Sequence, residues 1–267
     1  AMQDPAIVKR FIELAGGPDA PIVIIPTASE DDEHYDNYWS GLKQWRDNGA
    51  NNLTVLHTRD RKVADSEAFV KPVRTARGVF FGGGRQWRLA DAYSNTLTQK
   101  EIQGVLGRAR GAGFDPWRSP PAHDGPISEW ASAGAAILSS VMVRGDTKTN
   151  TIMIGDHTAG MGFLKNAAVD IHVLRRNRQF DMLEVLDAHP GLLGISIDED
   201  TAIVVEGDRF DVIGKSFALV YGNTTVAGKS GRFYFMGAGD RFDMKTRKAT
   251  RRAEQWRPLE GVKEPPQ

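Results

Sequence analysis

A serine, a histidine and a group of carboxylates follow one another along this chain, each at the end of an apolar run. Ser132 lies in Ala131-Ser132-Ala133-Gly134-Ala135. The strand-like run Pro126-Ile127-Ser128-Glu129-Trp130 precedes it, and Ala136-Ile137-Leu138-Ser139-Ser140-Val141 is expected to continue as a buried helix. A strand, an abrupt turn of small residues and a helix form a nucleophile elbow, with the serine hydroxyl held out at the turn. A helix N-terminus beneath that serine aims backbone N–H groups at the place where an oxyanion develops. His172 follows 40 positions later in Val169-Asp170-Ile171-His172-Val173-Leu174. Asp198, Glu199 and Asp200 follow the run Leu193-Gly194-Ile195-Ser196-Ile197. A serine hydroxyl is a weak nucleophile near neutral pH, so it needs a base, and the base needs an orienting acid. These stretches can bring all three to one edge of a sheet. The residues alone leave open which histidine and which acid serve.

The elements around these residues read as alternating strands and helices. Pro21 to Ser29 is a β-branched apolar run bounded by proline and polar residues, as in a buried strand. Helical spacing over Tyr35 to Asn48, a strand over Leu53 to His57, a helix over Ala64 to Val73 and a strand over Gly78 to Phe81 follow, then helices over Trp87 to Tyr93 and Leu97 to Arg108. Such alternation implies a mostly parallel sheet with helices on both faces. Ligands of such sheets sit at the carboxyl ends of the strands, where Ser29, Gly82 to Gln86 and Ser132 all fall. The second half is richer in strands: Ile152 to Ile154, Val169 to Leu174, Gly194 to Ile197, Ala202 to Val205, Phe210 to Ile213, Phe217 to Val220 and Arg232 to Met236. Glu206-Gly207-Asp208 suits a hairpin turn.

Composition narrows the chemistry. A chain of 267 residues can bury a large core and fits one domain. Basic and acidic residues balance at 34 each, which argues against a general nucleic-acid binder. No run is long and apolar enough to span a bilayer. No signal peptide is visible in Ala1-Met2-Gln3-Asp4-Pro5, so a soluble protein is expected, cytoplasmic or exported and matured. The absence of cysteine excludes disulfides, thiolate metal sites and a cysteine nucleophile. No metal-ligand spacing such as H-E-x-x-H occurs.

Five stretches, in order, resemble the peptidase family of cyanophycinase and dipeptidase E. They are Pro21-Ile22-Val23-Ile24-Ile25-Pro26-Thr27-Ala28-Ser29, Phe80-Phe81-Gly82-Gly83-Gly84-Arg85-Gln86, the Ser132 turn, Asp170-Ile171-His172 with its arginines, and Gly194 to Ala202. The last is closest to the cyanophycinase branch. The resemblance implies a single α/β domain, a three-layer α/β/α sandwich of the flavodoxin-like or class I glutamine amidotransferase-like kind. Its core would span residues 6–247, with a charged extension over 248–267. It further implies a serine hydrolase with Ser132 as nucleophile, His172 as base and Glu199 as orienting acid, and no metal or cofactor. Gly83 and Ala133 would supply oxyanion N–H groups, while Gln86, Arg176 and Arg178 would bind substrate. The substrate would be a peptide or β-aspartyl chain rich in aspartate, and a homodimer is usual for the family.

His157 is the rival base and Asp146 the rival acid. A dipeptidase, or a silent binding protein that keeps the fold, are the alternative functions. Four positions depart from the resembled pattern. Arg85 stands where an acid is usual, Ile171 where glutamine is usual, Asp181 where a third arginine would fall, and Trp130 where the elbow expects glycine. The stretch from Gly107 to Trp130 is longer than its counterpart, and Gly113 to Gly125 reads as a mobile surface segment or lid.

Overall fold

The structure is a computed structural model that describes residues 4–30, 35–36, 38–111, 127–130, 133–149, 151–223, 225–226 and 229–252. Ser132 and the stretch 112–126 therefore lie outside the described residues, as does 253–267.

Helix α1 (Pro5–Ala15) opens the chain. Asp4 caps it by accepting from the N–H of Ala6, Pro5 stands in its first turn, and Gly16 ends it in the left-handed region. Its buried face carries Ile7, Val8, Phe11, Ile12, Leu14 and Ala15. Strand β1 (Ile22–Ile25) follows, then a 3₁₀ turn (Ser40–Leu42) running into α2 (Lys43–Asp47), β2 (Leu53–Val55), α3 (Arg61–Ala64), α4 (Glu67–Thr75) and β3 (Gly78–Phe81). Next come α5 (Gln86–Tyr93), α6 (Leu97–Gly111), β4 (Ile127–Trp130), α7 (Ala133–Ile137) and β5 (Ser139–Val141). These strands build a four-stranded parallel sheet in the order β2-β1-β3-β4. Every residue of β1 is buried, and alternation sends its side chains to opposite faces. Ile22 and Ile24 meet Phe11, Leu42 and Trp45 on one side. Val23 and Ile25 meet Val73, Leu89, Tyr93 and Ile102 on the other. This is the expected sandwich of helices around a parallel sheet.

The second half departs from a simple helix-covered sheet. It adds β6 (Leu164–Ile171), α8 (Met182–Ala188), β7 (Leu193–Ile197), β8 (Thr201–Glu206), β9 (Arg209–Gly214), β10 (Ala218–Tyr221), β11 (Thr225–Val226), β12 (Lys229–Ser230), β13 (Phe233–Met236), β14 (Arg241–Asp243) and β15 (Lys248–Thr250). A mixed five-stranded sheet has the order β13-β10-β7-β6-β5, with β5, β6 and β7 parallel and β10 and β13 antiparallel. Helix α8 covers one face through Met182, Val185 and Leu186. The other face is met by an antiparallel sheet, β15-β14-β9-β8, through Phe210, Val212 and Phe242. The alternation of buried and half-buried residues in β9 produces this one-sided sheet.

Several expected boundaries move. The helix expected over 136–141 stops at Ile137, because Ser139 begins β5 and its hydroxyl binds the carbonyls of Ala136 and Val141. Residues Ile152 to Ile154 form no strand, and Ile152 is exposed. The strand expected to reach Leu174 ends at Ile171. Residues 248–250, expected to start a free extension, are β15, paired with β14. Gly207-Asp208 does form the two-residue turn between β8 and β9.

Gly84 fixes the loop after β3. It has φ +138°, and a Cβ there would lie 2.0 Å from the carbonyl oxygen of Ala28. Gly84→Ala should therefore destabilise the fold by more than about 2 kcal/mol. A urea midpoint within error of wild type would show that the loop does not need this close approach.

Candidate active site

The carboxyl ends of β3, β4, β6 and β7 carry the residues of interest. β4 ends at Trp130, in register with Phe81 of β3, and α7 begins at Ala133. Ser132 thus falls in the two-residue connection between a parallel strand and a helix. Gly134, in the first turn of α7, comes so close to β3 that a Cβ on it would lie 2.6 Å from the carbonyl oxygen of Phe81. Small residues after Ser132 are needed for that approach. Behind them, Ala135 of α7 packs in one buried cluster with Ala167 and Val169 of β6. The helix has only five residues, so its macrodipole is weak and individual N–H groups count for more.

The glycine loop follows β3. The N–H of Gly82 donates to Ile25 and that of Arg85 to Ala28, while Gly83 is exposed between them. Gln86 follows at the start of α5. It is buried, and its amide nitrogen donates to the carbonyls of Val143 (2.7 Å) and Arg144 (2.8 Å). The structure thus gives Gln86 an architectural tie between two loops, and its amide nitrogen is occupied within the chain. Arg85, where an acid was expected, pairs with Glu30.

His172 is the first residue beyond β6. Its backbone lies in the left-handed region, φ +58°, which β-strand neighbours cannot adopt and which ends the strand. The N–H of Arg176 closes a turn onto its carbonyl. Its Nδ1 stands 3.1 Å from Oε1 of Glu199. An imidazole held this way keeps its proton on Nδ1 and presents Nε2 as the acceptor. Burial pushes the imidazole below its ordinary range, and the charge of Arg176 adds to that, while Glu199 works against both. These influences favour the neutral ring.

The three neighbouring acids have separate tasks. Asp198 accepts from the N–H groups of Leu174 and Arg175 and from the hydroxyl of Ser216. Burial alone would raise its pKa, but the bond from Ser216 and those from the backbone hold it low. Asp200, at φ +51°, accepts from the N–H of Asp4. Glu199 meets the ring of His172. Of the two rivals, Asp146 caps the turn that follows it, accepting from the N–H of Lys148 and from both the N–H and the hydroxyl of Thr149. His157 pairs through Nε2 with Asp91 of α5 at 2.9 Å and lies against Trp87. Both rivals sit on the loop after β5.

Arg176 and Arg178 share the turn beyond His172. Arg176 is exposed. Arg178 is half-buried, and its guanidinium reaches toward the carbonyl of Ile171 at 3.4 Å. Burial pushes its pKa down, and the nearby charge of Arg144 does so further. A cation crowded by other cations gains from a bound anion.

A buried charge network escaped the sequence reading. Arg144 grips Asp170 by a two-pronged bond (2.9 and 3.0 Å), reaches Asp181 at 2.5 Å and donates to the carbonyl of Thr151. Arg144 and Asp170 are almost fully buried, with side chains 4% and 1% exposed. The available signal was Asp170 itself, an acid next to the apolar run Ala167-Ala168-Val169, since a buried charge demands a partner. Among the described residues no cluster of histidines and carboxylates could hold a metal ion, and no helix is long and apolar enough to cross a membrane.

The electrostatics around His172 set a testable pH response. Replacing Arg176 with alanine removes a cation that disfavours the imidazolium, so the His172 titration should move to higher pH. Glu199→Gln removes the anion that favours it, so the titration should move lower. An NMR titration of the ring that moved the same way in both variants would contradict this placement of charges.

No family model matches the chain. A cyanophycinase of Geminocystis herdmanii is 31% identical over 261 residues, covering 90% of this chain and 88% of that protein. A cyanophycinase of Nostoc sp. is 30% identical over 217 residues, covering 80% of this chain and 67% of its own. Among solved structures, a peptidase from an acI-B1 Actinobacterium has a TM-score of 0.63 over 90% of both chains at 23% identity, which bears on the fold. The level of identity to the Geminocystis protein, sustained over nearly the whole of both chains, places this chain in the cyanophycinase family of peptidases.

Proposed function

We propose that the chain is a serine peptidase or isopeptidase that cleaves bonds next to aspartate through an acyl-enzyme. The observation that carries this is the His172–Glu199 pair, an imidazole held by a carboxylate, in a chain whose sequence puts Ser132 between β4 and α7. In this reading Ser132 attacks the scissile carbonyl while Nε2 of His172 takes the hydroxyl proton. Glu199 holds the ring and stabilises the imidazolium. The N–H groups of Gly83 and Ala133 receive the oxyanion, and His172 returns the proton to the leaving amine. Water then repeats the sequence on the ester and frees the serine.

Arg176 and Arg178 suit a substrate carboxylate, because a planar guanidinium meets a carboxylate with two parallel bonds. A β-aspartyl chain carries such a carboxylate beside each scissile bond. The substrate proposed is accordingly a peptide or isopeptide chain rich in aspartate.

The deciding experiment combines a fluorophosphonate probe with turnover of β-Asp-Arg, Asp-Leu and related peptides. Ser132→Ala should abolish labelling and lower turnover by about 10⁴–10⁶-fold. A folded Ser132→Ala protein that kept near-full activity would rule the mechanism out.

The arginines are tested by selectivity. Arg176→Ala and Arg178→Ala should weaken turnover of substrates with a free carboxylate more than of neutral analogues, by about 2–5 kcal/mol if the contact is desolvated. Lysine should restore only part of the loss, because it lacks the fork. Equal losses on charged and neutral substrates would mean that the arginines do not read a carboxylate.

A further inference from the structure

The turn from His172 to Asp181 has little regular structure to hold it. His172 and Asn177 both lie in the left-handed region, at φ +58° and +54°. Its internal bonds are short-range, from Arg176 to His172, Asn177 to Leu174, Arg178 to Val173 and Asp181 to Arg178. Such a turn needs ties from outside if His172 is to keep one position. Asp198 supplies one, to Leu174 and Arg175. Glu199 supplies another, to the ring of His172, and Arg144 adds two more. It holds Asp170, two residues before His172, with Nε and Nη2, and Asp181, nine residues after it, again with Nη2. One guanidinium therefore pins both ends of the segment that carries His172, Arg176 and Arg178.

Arg144 is itself anchored. It stands at φ +52°, its N–H donates to Met153, and Nη1 donates to Thr151. Its carbonyl accepts from the amide of Gln86, which begins α5 directly after the glycine loop. The connection thus runs from Gly83's loop through Gln86 and Arg144 to Asp170 and Asp181. It joins the loop that would supply an oxyanion donor to the turn that would supply the base.

We infer that Arg144 is a positioning residue that holds the His172–Asp181 turn in register with the Gly82–Gln86 loop through its joint grip on Asp170 and Asp181. A solely stabilising ion pair would need one carboxylate. The second, on Asp181, lies at the far end of the functional turn and is 39% exposed, so burial did not force it to pair. Lysine could not replace Arg144, because an ammonium lacks the planar fork that meets two carboxylates at once. The inference rests on the serine-peptidase reading only for what the turn positions.

The test uses the full chain with Arg144→Lys, Asp181→Leu and Asp181→Asn. Fluorophosphonate labelling counts competent serines, and turnover of an aspartyl peptide is expressed per labelled serine. The Hδ1 proton of His172, which faces Glu199, is followed by NMR. Arg144→Lys should lower the rate per labelled serine by at least about 10-fold, since small misplacements of a reacting group cost that much, and should broaden or shift the Hδ1 signal. Asp181→Leu should act in the same direction and Asp181→Asn should stay near wild type, because its amide oxygen still accepts from Nη2. If Arg144→Lys lost only labelled fraction, with unchanged rate per labelled serine and an unchanged Hδ1 signal, Arg144 would be merely structural and the inference wrong. Should Arg144→Lys not fold, the Asp181 pair decides, and indistinguishable leucine and asparagine variants overturn the inference. Should wild type show neither labelling nor turnover, the peptidase reading fails on its own, and an Hδ1 signal unmoved by Asp181→Leu still refutes the brace.

Discussion

The buried bond between Arg144 and Asp170 is the constraint on which the second half of the site depends. Asp170 is buried as the penultimate residue of β6, where an unpaired carboxylate is costly, and the guanidinium meets both of its oxygens. Removing either partner of such a pair commonly costs about 3–5 kcal/mol, because the other charge is left stranded. Well-packed apolar residues in place of a buried ion pair are often as stable, so such a pair is weak evidence for stability by itself. What the pair adds is direction. It fixes the loop after β5 against the end of β6, at the point where β6 releases His172.

The position of His172 comes from a conflict between local and global preference. A β-strand that continued past Ile171 would turn successive side chains to alternate faces and carry His172 into a sheet layer. The left-handed residue breaks that alternation and swings the imidazole toward Glu199, at the end of the neighbouring strand. Strained backbone of this kind persists only where its surroundings over-determine it. Here Asp198 holds the following N–H groups, Glu199 holds the ring, and Arg144 holds both flanks. Burial and Arg176 then favour the neutral form of the ring.

Much of the first half was legible in the sequence because it is made of uniform signals. Four consecutive buried β-branched residues in β1, and the run Gly78–Phe81 before three glycines, read directly as parallel strands. Helix α1 went unread although Asp4-Pro5 caps its start, Gly16 ends it and its apolar face is regular; attention to capping would have found it. The second half was harder because apolar runs there do not say what covers them. Phe210, Val212 and Phe242 pack a second sheet, not a helix, onto the central strands, and only the hairpin turn at Gly207 hinted at this. The overrun of the predicted strand to Leu174 has the same origin: Val173 is buried and apolar, but it packs with α8 as part of a turn.

The candidate site was legible as residues but not as connections. His172 and Glu199 could be named because they end apolar runs within recognisable stretches. Gln86 could be named too, yet its amide turns inward to the carbonyls of Val143 and Arg144, a contact no linear spacing discloses. Arg144 had no local pattern at all, since its partners lie 26 and 37 positions away. This is the general asymmetry of such sites. Groups that do chemistry are confined to strand ends and glycine turns, which leave sequence marks. Groups that hold them in place are chosen by whatever charge or lone pair happens to lie opposite in three dimensions. In this chain an aspartate at position 181 presents a carboxylate on the arginine-bearing turn, and Arg144 answers it from another loop. The two carboxylates that flank the turn, on Asp170 and Asp181, thereby meet a single guanidinium.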